Sequence, residues 1–303
     1  MKPLLDRVRS GEILVADGAM GTLLMRRGLL TGRCPEEVNL THPAALEEIA
    51  RQYLGAGAEI IQTNTFGGSP LKLAMNGLDG RTEEINRRAV QAARQGVGDR
   101  AYVAASCGPS GGMLQPHGDL DPQVLYDSFR RQIAALIDAG VDAICVETMI
   151  DLDEAKAAVR AAKDVSPKTP VMATMTFDAT PRGFYTVMGV SVEAAAAGLA
   201  EAGADIVGAN CGHGIENMVR IAAEFRRHTR LPILIQSNAG LPVMQDGKPE
   251  WPETPEFMAG KVPDLLAAGV SIIGGCCGTT PEHIRAIRQA VDGAALGHLR
   301  PLT

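Results

Sequence analysis

Two adjacent cysteines, Cys276 and Cys277, lie near the end of the chain in the segment SIIGGCCGTTPEH, residues 271–283. A third cysteine, Cys211, lies in another glycine-rich segment, GANCGHG, residues 208–214. Three thiolates make a good zinc site that keeps one coordination position open for a substrate, and sulfur ligands favour zinc over magnesium or calcium. The sequence therefore predicts a catalytic zinc held by Cys211, Cys276 and Cys277, provided that the fold brings the two segments together.

The alternative for any single cysteine is an ordinary buried thiol, since cysteine is among the most buried residue types. We apply that interpretation to Cys34 in a loop, to Cys145 inside a strand-like run, and to Cys107 at a strand end. His213, two residues after Cys211, is a rival metal ligand. A fourth protein ligand of that kind would indicate a structural zinc, because structural sites are closed by four protein ligands.

The adjacent pair also makes demands on the backbone, because neighbouring side chains normally point apart. The glycines around the pair, Gly274, Gly275 and Gly278, are expected to give the chain that freedom. A disulfide within the pair would have poor geometry, and six cysteines in 303 residues do not resemble a secreted disulfide scaffold. The thiols are therefore predicted to be reduced, as is typical of a cytoplasmic protein.

The elements that must position these cysteines are predicted from the apolar runs of the chain. Eight runs are typical of strands, at residues 12–16, 58–63, 101–106, 142–147, 170–176, 204–209, 231–236 and 270–274. The runs are continuous rather than alternating, as in parallel strands covered on both faces. Helical patterns separate them, and strands that alternate with helices indicate a parallel sheet.

A weak internal repeat supports this organisation. In GAGAEII, DAGVDAI, EAGADIV and AAGVSII, which begin at residues 55, 138, 201 and 267, a helix ends, Ala-Gly turns the chain and a strand begins. Glycine is the usual residue just past a helix end. Eight strand–helix units in about 300 residues fit a closed (β/α)8 TIM barrel, so we predict a single α/β domain over residues 1–303. An open doubly wound sheet is the alternative architecture.

A barrel places its chemistry at the C-terminal ends of its strands. Polar, glycine-flanked segments follow the predicted strands at residues 17–22, 63–68, 106–112, 147–151, 176–183, 210–214, 237–242 and 274–280. Cys211 follows the sixth strand and the cysteine pair follows the eighth, so only one strand separates them. We therefore expect the three thiols to converge over the mouth of the barrel.

Composition excludes several classes of function. The formal net charge is −6 and no basic block is visible, so a nucleic-acid partner is not expected. The first residues lack the apolar core of a signal peptide. No uninterrupted run of about 18 apolar residues exists, so no membrane span is expected. These features favour a cytoplasmic protein that acts on a small molecule.

Six segments together resemble the homocysteine S-methyltransferase family, namely DGAMGT, TNTFGGSPLKL, ETMIDLDEAKAA, GANCGHGIENM, SNAGLPV and GGCCGTTPEHIRAI. The resemblance runs from about residue 10 to residue 292 and is strongest to the homocysteine-binding module of the cobalamin-dependent methionine synthases, with the betaine-dependent enzymes second. It implies a barrel with a catalytic zinc on Cys211, Cys276 and Cys277. It also supplies the substrate, L-homocysteine, which the zinc would hold as a thiolate for attack on an activated methyl group.

The amino acid group of homocysteine needs partners of its own. Glu147, at the end of the fourth strand, is the candidate for the ammonium group, and the resemblance points to it as well; the alternative is a structural carboxylate. Asp17 and the backbone N–H groups of Gly18 and Ala19 are further candidates, although Asp before Gly is also a common turn pair. The polar residues that would either bind substrate or only tie loops together are Thr63, Asn64, Asn210 and Asn238.

The loops resemble the cobalamin-dependent enzymes more than the users of S-methylmethionine, so methylcobalamin carried by another domain or protein is the expected donor. The sequence ends soon after the eighth helix, which favours either one module of a synthase with cobalamin and folate domains or a free-standing enzyme served by a separate corrinoid protein. The small donors betaine, S-methylmethionine and S-adenosylmethionine are alternatives. A cage for betaine would draw on Phe66, Tyr185 and Trp251. A barrel of unrelated chemistry with a structural zinc is the other class.

Overall fold

The computed structural model describes residues 1–30, 34–245 and 248–297, and its centre is a sheet of eight parallel strands. The remaining residues of the predicted 1–303 domain lie outside the described ranges. The strands, in chain order, are β1 (Leu14–Val15), β2 (Ile60–Gln62), β3 (Tyr102–Cys107), β4 (Ala143–Met149), β5 (Val171–Met175), β6 (Asp178–Thr180), β7 (Gly183–Tyr185), β8 (Ile206–Asn210), β9 (Ile233–Ser237), β10 (Val243–Gln245), β11 (Lys248–Glu250) and β12 (Ile272–Gly275).

The eight-stranded sheet runs in the order β1-β12-β9-β8-β5-β4-β3-β2, with every neighbouring pair parallel. The two outer strands meet through a parallel bridge between Ala16 and Ile60. There the N–H of Asp17 donates to the Ile60 carbonyl at 2.9 Å, and the N–H of Glu59 donates to the Val15 carbonyl at 2.7 Å. The sheet thus closes on itself, which confirms the predicted (β/α)8 barrel and rules out the open doubly wound alternative.

Helices follow the barrel strands and cover the outside of the sheet, and one short helix precedes the first strand. They are α1 (Leu4–Arg9), α2 (Met20–Arg26), α3 (Val38–Thr41), α4 (Pro43–Gly55), α5 (Pro70–Ala74), α6 (Thr82–Val97), α7 (Pro122–Asp138), α8 (Leu152–Val165), α9 (Val192–Ala202), α10 (Ile215–His228), α11 (Pro255–Gly260), α12 (Val262–Ala267) and α13 (Pro281–Gly297). No helix among the described residues is long and apolar enough to cross a bilayer.

The repeated Ala-Gly turn works as its sequence predicts. Gly57, Gly140, Gly203 and Gly269 all have positive φ, between 79° and 103°, and each stands just before a barrel strand. Residues other than glycine rarely adopt that conformation. These four turns lead the chain from a helix end into β2, β4, β8 and β12.

Apolar side chains fill the lower part of the barrel. Leu14, Ile60, Met172 and Ile272 belong to one buried cluster there, and Leu4 of α1 packs against them from the N-terminal end of the strands. A second and larger cluster lies between the strands and the outer helices. Water is thus excluded from the closed end, and the polar residues that end the strands gather at the opposite, C-terminal end.

Two short antiparallel hairpins were not foreseen from the sequence. Strands β6 and β7 pair in the loop after β5, and β10 pairs with β11 in the loop after β9. Strands β6 and β10 are exposed along their whole length, and each hairpin strand has only three residues, which is too short for a periodic pattern in the sequence.

Candidate metal centre and active site

The fold brings the three predicted ligands together. Cys211 directly follows β8, and Cys276 and Cys277 directly follow β12, with β9 between those strands. The three sulfur atoms all lie within 4.8 Å of one another. Among the described residues, this is the one cluster of three or more His, Cys, Asp or Glu side chains close enough to share a metal ion.

The backbone at the cysteines differs from the prediction that the three neighbouring glycines supply the unusual conformation. Only Gly278 of the three predicted glycines has a left-handed conformation, with φ at 81°. Gly275 is instead required by close approach, because a Cβ atom there would lie 2.2 Å from Oγ1 of Thr279. The unusual turn is made by Cys211 itself, whose φ of 60° is rare for a residue with a side chain. Such strain is typical of functional sites.

The other three cysteines lie apart from this cluster, as expected. Cys145 is buried inside the barrel and Cys107 between strands and helices. Cys34 belongs to a small buried cluster with Leu73 and Ile85. Burial raises the pKa of the Cys34 thiol to about 12 and raises the pKa of the other two as well, so all three are inert, neutral thiols.

His213 does not join the sulfur cluster. Its Nε2 atom accepts a hydrogen bond from the N–H of Ala179 at 3.2 Å and lies 3.6 Å from the carboxylate of Asp178, both on β6. The rival ligand is thus engaged with the hairpin. Three sulfur donors without a fourth protein ligand, among the described residues, fit a zinc ion that keeps one position open.

The three thiols are linked by hydrogen bonds, which make the loss of the first proton from the cluster easier than the loss of the second. Hydrogen bonds from Cys276 and Cys277 lower the pKa of Cys211. Hydrogen bonds with Cys211 and Cys277 raise the pKa of Cys276 well above the usual thiol value, with burial adding to the effect. One proton therefore leaves easily, while the next thiolates would meet the charge of the first. A bound cation is what would stabilise three thiolates side by side.

The sulfur cluster forms one wall of a cavity of about 420 Å³ at the mouth of the barrel. Five of the predicted substrate-binding residues line the same cavity, namely Gly18, Ala19, Thr63, Asn64 and Glu147. Asp17 and Asn238 lie behind this wall, each less than 5% exposed. A small thiol that reached the cysteines would therefore be surrounded by residues predicted to bind it.

Glu147 stands opposite the cysteines in a ring of hydrogen bonds. Its Oε1 accepts from Ser106 Oγ, and from Gln62 Nε2 at 3.1 Å. Its Oε2 accepts from Asn210 Nδ2 at 3.4 Å. Burial raises the pKa of Glu147 to about 7, against the lowering effect of the Ser106 hydrogen bond. A buried carboxylate with this pKa gains most by pairing with a cationic group.

Asp17 lies deeper, next to the same ring. Its Oδ2 accepts from the backbone N–H of Gln62 at 2.9 Å, whereas its buried Oδ1 has no hydrogen-bond partner among the described residues. Burial is the main reason that the pKa of Asp17 is raised to about 8, and the charge of Glu147 adds to it. An unpartnered buried carboxylate oxygen is rare in folded proteins.

Several of the remaining candidates are tied to neighbouring loops. Asn64 donates from Nδ2 to the Pro35 carbonyl and to Asn39 Oδ1, both at 2.8 Å. The hydroxyl of Thr63 pairs with that of Thr65 at 2.6 Å. These two side chains therefore fasten the loop after β2, although both still line the cavity.

The backbone N–H of Ala19 and the side chain of Asn238 have different places in the site. The N–H of Ala19 donates to Thr279 Oγ1 at 3.1 Å, so it connects the first loop with the cysteine loop. A hydrogen bond with the Asn238 side chain lowers the pKa of Cys211, which places Asn238 beside the sulfur cluster. Asn238 Oδ1 is buried without a partner among the described residues.

Sequence reasoning did not select three residues of this ring, namely Gln62, Ser106 and Thr148, and it named Asn210 only as a polar residue that would either bind substrate or tie loops together. Gln62 and Asn210 are the last residues of β2 and β8, and each ends an otherwise apolar run. Thr148 follows Glu147 and has a positive φ of 59°. A polar residue at the C-terminal end of an apolar run was the signal that drew attention to Asn210, and the same signal could have identified Gln62 and Ser106.

Three thiols close enough to share a metal ion, together with a buried carboxylate at the C-terminal mouth of a (β/α)8 barrel, define a class of barrel proteins with a candidate thiolate metal centre. The family model "Homocysteine S-methyltransferase" matches residues 14–291. The chain therefore belongs to the homocysteine S-methyltransferase family.

Curated relatives and solved structures agree with this assignment. The methionine synthase of Mycobacterium tuberculosis is 37% identical over 95% of this chain and 25% of its own length. The methionine synthase of Mycobacterium leprae is 34% identical over 92% of this chain and 24% of its own length. The present chain thus spans about a quarter of these relatives. The metallated form of the Escherichia coli homocysteine methyltransferase MmuM superposes with a TM-score of 0.79 at 25% identity, over 95% of this chain and 99% of that one.

Proposed function

We propose that the chain binds L-homocysteine through its thiol at the three-cysteine centre and converts it to methionine by accepting a methyl group. The observation that carries this proposal is the placement of Cys211, Cys276, Cys277 and Glu147 on the walls of one cavity. The three cysteines would hold the zinc ion. When bound, zinc supplies the positive charge that deprotonates a thiol at neutral pH and aims it at the methyl group. The related MmuM has been solved in a metallated form, which supports a metal ion in this protein as well.

The protein's own groups would bind the rest of the substrate. The Glu147 carboxylate accepts from the ammonium group, because three donors already fix its orientation and its burial favours a cationic partner. Asp17 Oδ1, buried and without a partner among the described residues, supports that site from behind. Gly18 and the first turn of α2 line the cavity beside Ala19, where backbone N–H groups suit the substrate carboxylate.

A methylcorrinoid carried by another domain or protein is the proposed donor. Eleven large hydrophobic side chains are exposed among the described residues, and seven of them lie outside the helices in the segments that follow barrel strands β2, β3, β5 and β9, on the mouth side. This group, which we call the apolar rim, consists of Phe66, Met75, Met113, Val187, Leu241, Val243 and Met244. Exposed apolar side chains on several loops at one end of a barrel offer a surface on which a protein partner could bind. The relatives, about four times as long, have further chain to supply such a partner.

A small quaternary donor is less well supported. Of the three aromatic residues that a betaine cage would use, Phe66 lines the cavity, whereas Trp251 packs against Gly278 and Tyr185 against Arg182. A cage needs several aromatic faces around one cation. The positions of these three rings therefore give a betaine cage little support, and we prefer the corrinoid as the donor.

The decisive experiment measures zinc content and the X-ray absorption edge of zinc with and without L-homocysteine. Wild type is expected to hold one zinc per chain, with sulfur coordination rising from three to four when homocysteine is added. Cys276→Ala should lose the metal, whereas Cys34→Ala, which also removes a thiol from the cavity wall, should keep it. A zinc shell that ignores homocysteine would contradict the proposal and indicate a structural or unrelated role for the metal.

Turnover assays then identify the donor. Zinc-loaded protein with homocysteine is offered protein-bound methylcorrinoid, free methylcobalamin, betaine, S-methylmethionine and S-adenosylmethionine in separate reactions. Methionine should form with the methylcorrinoids. Methionine formed only with one of the three small donors would overturn the assignment of the donor and leave the thiol site intact.

A further inference from the structure

Asn210 lies between the sulfur cluster and the carboxylate that faces it. It is fully buried at the end of β8, and Cys211 is the next residue. Its Oδ1 accepts from the backbone N–H of Thr148 at 2.7 Å and from Thr174 Oγ1 at 2.8 Å. Its Nδ2 donates to Glu147 Oε2 at 3.4 Å and lies 3.9 Å from Cys276 Sγ. One side-chain amide thus touches both halves of the site.

The orientation of this amide follows from its partners. A backbone N–H can only donate, so the atom of Asn210 that faces the Thr148 N–H must be the oxygen. The NH2 group is then directed towards the Glu147 carboxylate, the Thr148 hydroxyl at 2.7 Å and the sulfur of Cys276. The opposite orientation would bring two donors together at Thr148 and leave the buried carboxylate facing an oxygen.

Asn210 is also the single donor to one oxygen of the carboxylate. Oε1 of Glu147 receives hydrogen bonds from Gln62 and Ser106, whereas Oε2 receives one from Asn210 alone among the described residues. Removing that donor would leave Oε2 without a hydrogen-bond partner, and the carboxylate would be held through Oε1 alone. A buried acceptor without a partner is costly, so the group would turn or take up a proton.

Asn210 also lies next to two strained backbone positions. Thr148 and Cys211 are the two residues other than glycine with positive φ among the described residues, at 59° and 60°. Asn210 bonds to the backbone of the first and is joined by a peptide bond to the second. Strained backbone persists only where surrounding contacts fix it. The Asn210 side chain thus helps to fix the residue that follows the carboxylate, and its backbone continues directly into the residue that carries a thiol.

We propose that Asn210 is a positioning residue that sets the carboxylate of Glu147 relative to the metal-binding thiols and so makes the site select thiols that carry an amino group. This inference rests on the proposed function, because it assumes that the substrate's sulfur reaches the cysteines and its ammonium group reaches Glu147. It concerns ligand selection and gives Asn210 no contact with the reacting atoms.

The test compares two ligands that differ only in the amino group, L-homocysteine and 4-mercaptobutanoate. Dissociation constants are measured by calorimetry on zinc-loaded protein, and the ratio of the two constants reports the contribution of the ammonium site. Wild type should prefer homocysteine. Asn210→Asp keeps the shape but replaces the donor with an acceptor beside Glu147, and it should reduce the preference about tenfold to a hundredfold, the range for a hydrogen bond to a charged group.

Three further variants make the result specific. In the Glu147→Gln background, Asn210→Asp should have no further effect on the ratio, because the two residues act through one contact. Thr174→Val, which removes one support of the Asn210 oxygen, should reduce the preference by a smaller factor, and it provides the test if Asn210→Asp does not fold. Asn217→Asp on α10, where the side chain accepts from Arg220, should leave the ratio unchanged.

An unchanged ratio in folded Asn210→Asp, or effects of Asn210→Asp and Glu147→Gln that simply add, would overturn the positioning role. Failure of the proposed function has a different signature. Wild type itself would then show no preference for homocysteine, or Glu147→Gln would leave the preference intact.

Discussion

Asp17 and Glu147 are buried carboxylates joined through one residue, because the backbone of Gln62 donates to Asp17 and its side chain donates to Glu147. The barrel thus places two acidic groups, with raised pKa values, behind a cavity whose other wall carries three thiols. Such an arrangement costs stability when the site is empty and favours a ligand that brings positive charge.

The first prediction concerns the pH dependence of stability. Folding raises the pKa of Asp17 from about 4 to about 8, so between these values the folded state holds a proton that the unfolded state has lost. The free energy of unfolding should therefore fall as pH rises through this window. Asp17→Asn removes that titration, and its stability relative to wild type should improve from pH 5 to pH 8 by on the order of 1 kcal/mol or more.

Urea unfolding of metal-free protein at several pH values measures this difference. Asp99→Asn, which changes an exposed aspartate, is the matched control and should follow wild type across the range. Parallel curves for Asp17→Asn and wild type would show that the native carboxyl of Asp17 titrates normally.

The second prediction concerns the charge at Glu147. Glu147→Gln preserves the shape of the side chain but removes the negative charge, so the KM for homocysteine should rise about tenfold to a hundredfold with a smaller change in kcat. Glu154→Gln is the control, since Glu154 is also buried but bonds to Ser110 outside the cavity. Equal KM values for wild type and Glu147→Gln would show that the ammonium group binds elsewhere.

The third prediction concerns the cysteine loop. Gly278→Ala should destabilise the fold by about 2–4 kcal/mol, because the backbone there has φ at 81° and the new Cβ would lie 2.1 Å from Cγ of Trp251. Zinc affinity should fall with it, since Cys277 is the preceding residue. In Gly55→Ala the new Cβ meets nothing within 4 Å, and stability should stay equal or rise by up to about 1 kcal/mol. Thermal unfolding and zinc titration of both variants measure these effects.

The fourth prediction concerns the apolar rim. Val187→Asp and Met244→Asp place a charge on side chains that are 73% and 69% exposed, so the fold should tolerate them. Methyl transfer from a protein-bound methylcorrinoid should slow by about tenfold or more when both are combined, because a charge is buried at the interface. The rate with free methylcobalamin should not change.

Arg100→Asp at the opposite end of the barrel introduces the same carboxylate away from the rim and serves as the control. Equal loss with the protein-bound and the free donor would point to damage in the cavity rather than to a docking surface.

The sequence was a good guide to architecture because its signals are local. Continuous apolar runs predicted all eight barrel strands to within about two residues at most ends, and four Ala-Gly turns marked where helices give way to strands. The cysteines could be selected by residue type, since three thiols after the sixth and eighth barrel strands, β8 and β12, are suited to binding a zinc ion.

The roles of the polar residues could not be predicted in the same way. Asn64 and Asn210 both follow or end an apolar run and look equivalent along the chain. In the structure Asn64 fastens a loop through Pro35 and Asn39, whereas Asn210 connects Glu147 to the cysteines. An amide takes whichever partners packing brings to it, and those partners are many residues away.

The sequence by itself determined the barrel, the trio of thiols and the acidic residue at the end of the fourth strand, because periodicity and side-chain chemistry act over short stretches. Only the tertiary structure decided how these parts meet. Closure of the sheet brings Gln62 to Gln236 across 174 positions and to Glu147 across 85, which no spacing rule contains. The left-handed turn at Cys211 likewise depends on contacts from other strands, since the residue alone disfavours it.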